Sequence, residues 1–197
     1  MEIPKNYENT EVIGDYETLE PGGYICKIIS AKEEQSKNGK RMLVVAFDIA
    51  EGEHAGIYTR RYEELKKSNT DPNKTVKYPN NGVYRVMVED KDGNCSKFFK
   101  TFITSVEESN SNFNFAKNKY DEKKLKDKLF GGIFGEEEFE KMDGTVGTST
   151  KLEWVRSTET IKEGNFKTPE IKKLPPKGEA FEPFDVGDSA SDDDLPF

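Results

Sequence analysis

Apolar and polar positions alternate along the chain at two distinct periods, and these periods divide it into elements. Tyr24-Ile25-Cys26-Lys27-Ile28-Ile29 follows Gly22-Gly23 and is β-branched and aromatic, which predicts a first strand. Ser36-Lys37-Asn38-Gly39 comes next, and Asn-Gly between strand-like runs is a hairpin signal because both residues tolerate positive φ. The return strand runs from Arg41 to Ile49, with Leu43, Val45, Phe47 and Ile49 on one face. Glu51-Gly52-Glu53 turns the chain, and Gly56 to Tyr62 reads as a third strand completing an antiparallel meander. Ile57 and Thr59 would lie on one of its faces, and Tyr58, Arg60 and Tyr62 on the other.

Residues 63–82 are polar and rich in Asn and Pro, so they read as a long loop or insertion. Val83 to Val88 fits a short strand or a helical turn, and the pattern does not choose between them. Asp92-Gly93-Asn94 offers a helix start. Cys95, Phe98, Phe99, Phe102, Ile103 and Val106 then follow the 3.6-residue period of one apolar helical face, ending near Asn110. Residues 111–127 read as a polar, Lys-rich connector. Leu129 to Gly135 predicts a fourth strand whose glycines permit a bend or bulge, with Phe139 to Met142 extending it. Asp143-Gly144 turns the chain into a fifth strand, Lys151 to Arg156. Three strands, a helix and two strands match the order of a five-stranded OB barrel, a mainly β fold with a helix capping one end. The expected organisation is an N-terminal arm over residues 1–20, an OB domain over 21–174, and a disordered linker and tail over 175–197.

Composition changes this picture in one respect. The net charge of −8 argues superficially against a nucleic-acid partner. Residues 179–197, however, hold seven of the 38 acids and no Lys or Arg, leaving 31 acids against all 30 bases in 1–178. The body is nearly neutral, so a local basic face on it is compatible with the composition. No run approaches the length of a membrane span, and the N-terminus lacks the apolar core of a signal peptide, which predicts a cytoplasmic protein. Cys26 and Cys95, the only two cysteines, read as small buried residues. With one histidine, His54 in a loop, and no Cys or His cluster, neither a metal nor another cofactor is expected.

Enzyme signatures are absent: the sequence has no phosphate-cradling GxxxxGK[ST] loop, no GxSxG elbow and no HExxH helix. Asp90-Lys91-Asp92-Gly93-Asn94 approximates a calcium loop, but its glycine comes early and Thr101 stands where the bidentate Glu belongs. Carboxylates are plentiful, yet no spacing singles out a catalytic pair. A non-enzymatic binding role is therefore expected.

Single strands are held by cations along the phosphates and aromatic faces beneath the bases, at roughly 1–3 kcal/mol per stacked base. Tyr58, Arg60 and Tyr62 form a stacking–cation–stacking row on the expected third strand, with Arg61 opposite. Lys40 and Arg41 add charge at the first hairpin. Leu152, Trp154 and Arg156 share a face of the fifth strand, with Trp154 either a stacking platform or a core residue. The competing reading of the tyrosine row is outer polar positions with rings packed over the core. From Lys117 to Lys128, six lysines against three acids make a second basic stretch, either a phosphate contact or a solvated loop.

The chain ends in Asp192-Asp193-Asp194-Leu195-Pro196-Phe197, three carboxylates before an apolar tip that carries the terminal carboxylate. Such a tip suits a greasy pocket ringed by Arg or Lys. It resembles the acidic terminal peptide of bacterial and phage single-stranded DNA-binding proteins, which recruits replication and repair partners. The body is similar to a family of phage-encoded, OB-fold, single-strand-binding-like proteins. The similarity lies in residues 19–24, Ser36-Lys37-Asn38-Gly39-Lys40, residues 47–52, Gly56 to Tyr62, Asp143 to Arg156 and Phe166-Lys167-Thr168-Pro169. The N-terminal sequence departs from the usual bacterial pattern, so the familiar tetramer is not implied, although a homo-oligomer remains compatible. The resemblance implies single-stranded DNA binding in phage replication, recombination or repair. It also implies recruitment of replication or recombination proteins through the tip. The alternatives are an OB adaptor that binds only protein, and a single-strand annealing recombination protein.

Overall fold

The computed structural model describes residues 17–175, together with residues 3, 5 and 7. Most of the expected N-terminal arm, and residues 176–197 of the expected linker and tail, lie outside the described residues. Strand β1 (Gly22–Gln35) and strand β2 (Arg41–Ile49) form the expected hairpin. Its turn places Gly39 at φ 74°, and the Gly39 N–H donates to Ser36 O at 2.8 Å. Leu43, Val45, Phe47 and Ile49 are all buried on one face of β2. β1 runs beyond the expected strand and contains a bulge between Ile28 and Ser30.

Gly56 to Tyr62 is not a strand. Helix α1 spans Ile57–Ser68, and a side chain in β2 supports its start. Asp48 is buried, and its carboxylate accepts the N–H groups of Tyr58 (3.0 Å) and Thr59 (2.8 Å), as well as its neighbour Ile49 (2.9 Å). Donors at a helix start have no intrahelical partner, and Asp48 supplies one together with negative charge at the positive end of the dipole. The expected loop over 63–82 is thus helical to Ser68 and ends in a 3-10 turn at Asn80–Gly82. The third strand is β3 (Val83–Met87), paired antiparallel with β2.

Helix α2 (Lys97–Ser109) buries Phe102, Ile103 and Val106 as its period predicts. Cys95 and Phe98 depart from expectation, because both are exposed near the helix start. The Lys-rich connector is anchored by buried Phe113, Phe115 and Leu125, and Asp127 N–H donates to Ile28 O at 2.8 Å beside the β1 bulge. Strand β4 (Leu129–Glu140) then pairs with β1, and strand β5 (Val146–Arg156) pairs with β4. Phe47, Phe102, Phe130 and Phe134 are fully buried at the centre, and truncating any of them to Ala costs about 3–5 kcal/mol.

The fold is mainly β: a five-stranded antiparallel sheet in the order β3-β2-β1-β4-β5 with a few helices. It is open. No ladder joins the edge strands β3 and β5 among the described residues, which corrects the expected closed barrel. The gap is spanned otherwise: Asn81 Nδ2, just before β3, donates to Ser149 Oγ (3.1 Å) and Thr150 O (3.3 Å) on β5. Helix α2 touches β3, β4 and β5. Helix α3 (Thr158–Lys162) and the chain after it form a strap on the outer face of β1 and β4. There Phe166 lies over Gly23, Ile161 over Gly131 and Pro169 over Gly135, and Lys172 pairs with the far end of β4.

Candidate nucleic-acid interface

The helix at 57–68 disperses the row expected on a third strand. Tyr58 turns into the core, with its ring edge-on to Phe47 at 5.8 Å, and burial pushes its hydroxyl pKa up. Arg60 points outward, where one nitrogen donates to Ala55 O and Nη2 donates to Glu17 Oε2 at 2.9 Å. Glu17 also meets His54 Nδ1 at 2.5 Å. Hydrogen bonding from His54 and then Arg60 holds its carboxyl below the usual range. Arg61 is half-buried. Tyr62, also half-buried, meets Tyr78 edge-on at 5.4 Å, with the Lys66 ammonium 4.2 Å from its ring. No continuous stacking surface results.

The first hairpin fares similarly. Arg41 donates to both oxygens of Glu33 (2.9 and 2.8 Å) and to Glu89 Oε1 at 2.6 Å, so two carboxylates match its charge. Lys40 is exposed in the turn. On β5, Trp154 is 43% exposed and Arg156 is exposed, but Leu152 packs against the core. The three residues share no face because Glu153 is an extra residue: Ile133 pairs with Trp154 while Phe134 pairs with Leu152.

The fold instead brings together residues on the outer face of β1, β2 and β3. Register sets Lys32 beside Val44 and Val44 beside Arg85, with Ser30, Ala46 and Val83 forming the next row. Glu34, Met42 and Met87 form the row beyond. Lys27 lies on the same face, opposite Asp48. Val44 is buried although it lies outside the core, consistent with the aliphatic stems of Lys32 and Arg85 on either side. Lys32 pairs with Glu34, and Arg85 Nη1 donates to Asn80 Oδ1 at 2.9 Å. Arg85, Val83 and Met87 were missed as a face. The signal was the alternation of Tyr84 and Val86, which pack inward, with these three.

Among the described residues the strap covers the outer face over β1 and β4 and not over β2 and β3. Two turns leave the sheet at opposite ends of β1. The β1–β2 turn carries Lys37 and Lys40. The β4–β5 hairpin carries Lys141 and exposed Phe139, Met142 and Val146. In the second basic stretch Lys117, Lys119, Lys123, Lys124 and Lys126 are exposed, whereas Lys128 lies 5.1 Å from the Phe113 ring.

Cys26 is buried, which pushes its thiol pKa up and makes it a poor nucleophile. Among the described residues no cluster of His, Cys, Asp or Glu is placed to hold a metal ion. None of their helices is long and apolar enough to cross a membrane.

Residues 5–85 match a family model described as "Protein of unknown function (DUF669)", a span that takes in β1, β2, α1 and the start of β3. No curated protein matches the chain.

Proposed function

We propose that the protein binds single-stranded DNA without sequence preference, in phage replication, recombination or repair, and that residues 192–197 recruit a partner protein. The fold is read as an unclosed OB arrangement, in which strands two and three and the turns after strands one and four contact oligonucleotides. One observation carries this reading. Among the described residues the strap leaves the outer face of β2 and β3 uncovered, with half-buried Met42 and exposed Met87 near Lys27 and Arg85, buried Val44 between them, and Lys32 paired with Glu34. Cations on that face would track phosphates, and Met42 and Met87 would support bases. Tyr58, Arg60 and Arg41 are not assigned to the interface, because one is buried and two are matched by carboxylates.

The test is competition: a labelled oligothymidine is bound and then challenged with unlabelled single strand or duplex. The single strand displaces the label at far lower concentration than the duplex. Equal displacement by both overturns the reading. A protein-only adaptor is the second reading, favoured by the exposed apolar tip at Phe139, Met142 and Val146.

A further inference from the structure

An open cleft of about 270 Å³ lies between α2 and α3, beside the C-terminal end of β5. Its walls carry two cations, Lys100 and Arg156, the hydroxyl residues Thr101, Thr104, Ser157 and Thr160, and one carboxylate, Glu108. One contact joins the walls of the cleft: Thr158 N–H donates to Ser109 Oγ at 3.0 Å. Within the α3 wall Ser157 Oγ accepts the Thr160 N–H at 3.3 Å and lies 3.0 Å from Thr160 Oγ1. Ser105 contributes no free hydroxyl, because its Oγ donates to Thr101 O at 2.8 Å. Arg156 Nη1 donates to Val155 O at 2.9 Å, which uses one of the five guanidinium donors.

We propose that this cleft binds one phosphodiester of the single strand, extending the contact beyond the β2–β3 face. The inference rests on the single-strand reading. Two cations and one carboxylate leave a lining charge of +1, which complements the single charge of a diester. A terminal phosphate carries closer to two charges. Trp154 stands two residues before Arg156 on the same side of β5, opposite Ile133 and Gly131 respectively. That separation is about 7 Å along a strand, so a base stacked on the exposed indole adjoins the phosphate held by Arg156. Asn81, just before β3, donates to Ser149 Oγ and Thr150 O on β5, so the two edge strands are neighbours.

Full-length protein tests the cleft with a labelled oligothymidine in a salt titration. The double variant Lys100→Ala/Arg156→Gln weakens binding several-fold at low salt and flattens the log–log salt slope by about 0.7, one single-strand phosphate. Glu108→Gln acts in the opposite direction and tightens binding at low salt. If the double variant fails to fold, Glu108→Gln carries the test alone. Wild-type binding with an unchanged slope and affinity in every folded variant overturns the cleft and leaves the single-strand reading intact. A wild type that binds no single strand overturns both. Inorganic phosphate and thymidine monophosphate supply the remaining arm. If the variants lose only the ability to bind these small anions, while oligothymidine binding is unchanged, the cleft is a free-anion site and the proposal fails.

Discussion

Phe166 lies against Gly23 so closely that a Cβ on Gly23 would come within 2.4 Å of the ring. The contact joins the first residues of β1 to the strap after α3, across more than a hundred residues of sequence. It explains the second of the two glycines that open β1: Gly23 makes room for an aromatic ring from the far end of the fold. Gly23→Ala is expected to destabilise by about 1–3 kcal/mol, the usual cost of overpacking. Phe166→Ala in the same chain should relieve most of that added cost, since the clash is with a side chain. Gly131 offers a contrast, because its added Cβ would meet Ser157 O at 2.6 Å, a backbone atom that no truncation removes. Urea denaturation of the double-mutant cycle checks both statements.

Asp48 converts the segment after it into a helix, so its loss should be felt in α1. Asp48→Ala strands the buried N–H groups it serves and should cost about 2–3 kcal/mol. Asp48→Asn keeps one acceptor oxygen and should cost less. Thermal melts of the two variants beside the wild type measure this, and an Ala variant as stable as the wild type contradicts the capping role.

The cations of the sheet and of α1 divide into two groups for DNA binding. Arg85→Ala should flatten the salt dependence of oligothymidine binding by about 0.7, and Lys32→Ala by less, because Glu34 already pairs with Lys32. Arg41→Ala and Arg60→Ala should leave it nearly unchanged, because Glu33 and Glu89 match the first and Glu17 the second. The order of the four slopes, read from anisotropy titrations, separates the β2–β3 face from the carboxylate-matched arginines.

Glu17 gives a pH dependence with a defined sign. Its folded-state pKa lies below the ordinary carboxylate value, through His54 first and Arg60 second. The unfolded chain therefore binds more protons as pH falls, and the Glu17 contribution is present above about 4.5 and is lost below it. The group is largely solvated, so the effect is a few tenths of a kcal/mol. Glu17→Gln should lower the Tm slightly at pH 6 and match the wild type near pH 3. A difference that persists at pH 3 contradicts the assignment.

Much of the sheet was legible because short-range rules and burial agreed. The Asn38-Gly39 hairpin, the alternation from Leu43 to Ile49, and the 3.6-residue stripe from Phe99 to Val106 each carry their own local signal. The segment from Ile57 to Tyr62 did not, since Tyr58 and Tyr62 satisfy both the two-residue and the four-residue period. Its helical state is favoured by Asp48, a contact from another element, together with the good helix formers Glu63 to Lys67, whose polar run reads as a loop in sequence. The candidate site moved with it, from a tyrosine row to Lys32, Val44 and Arg85. Glu153 had the same effect on β5, where one extra residue sent Leu152 inward and left Trp154 outside. The Lys-rich connector hid Phe113, Phe115 and Leu125 because isolated apolar residues in a charged stretch show no period.

The most direct measurement is the affinity for oligothymidine across a salt titration, with matched duplex as competitor, for full-length protein and for protein lacking residues 192–197. The account predicts a preference for the single strand and weakening with salt at a slope near −0.7 per neutralised phosphate. It also predicts tighter binding at low salt once the acidic tip is gone, because the tip competes with DNA for the basic face. Absence of binding at low salt by both proteins would contradict the central claim and leave the protein-only adaptor standing.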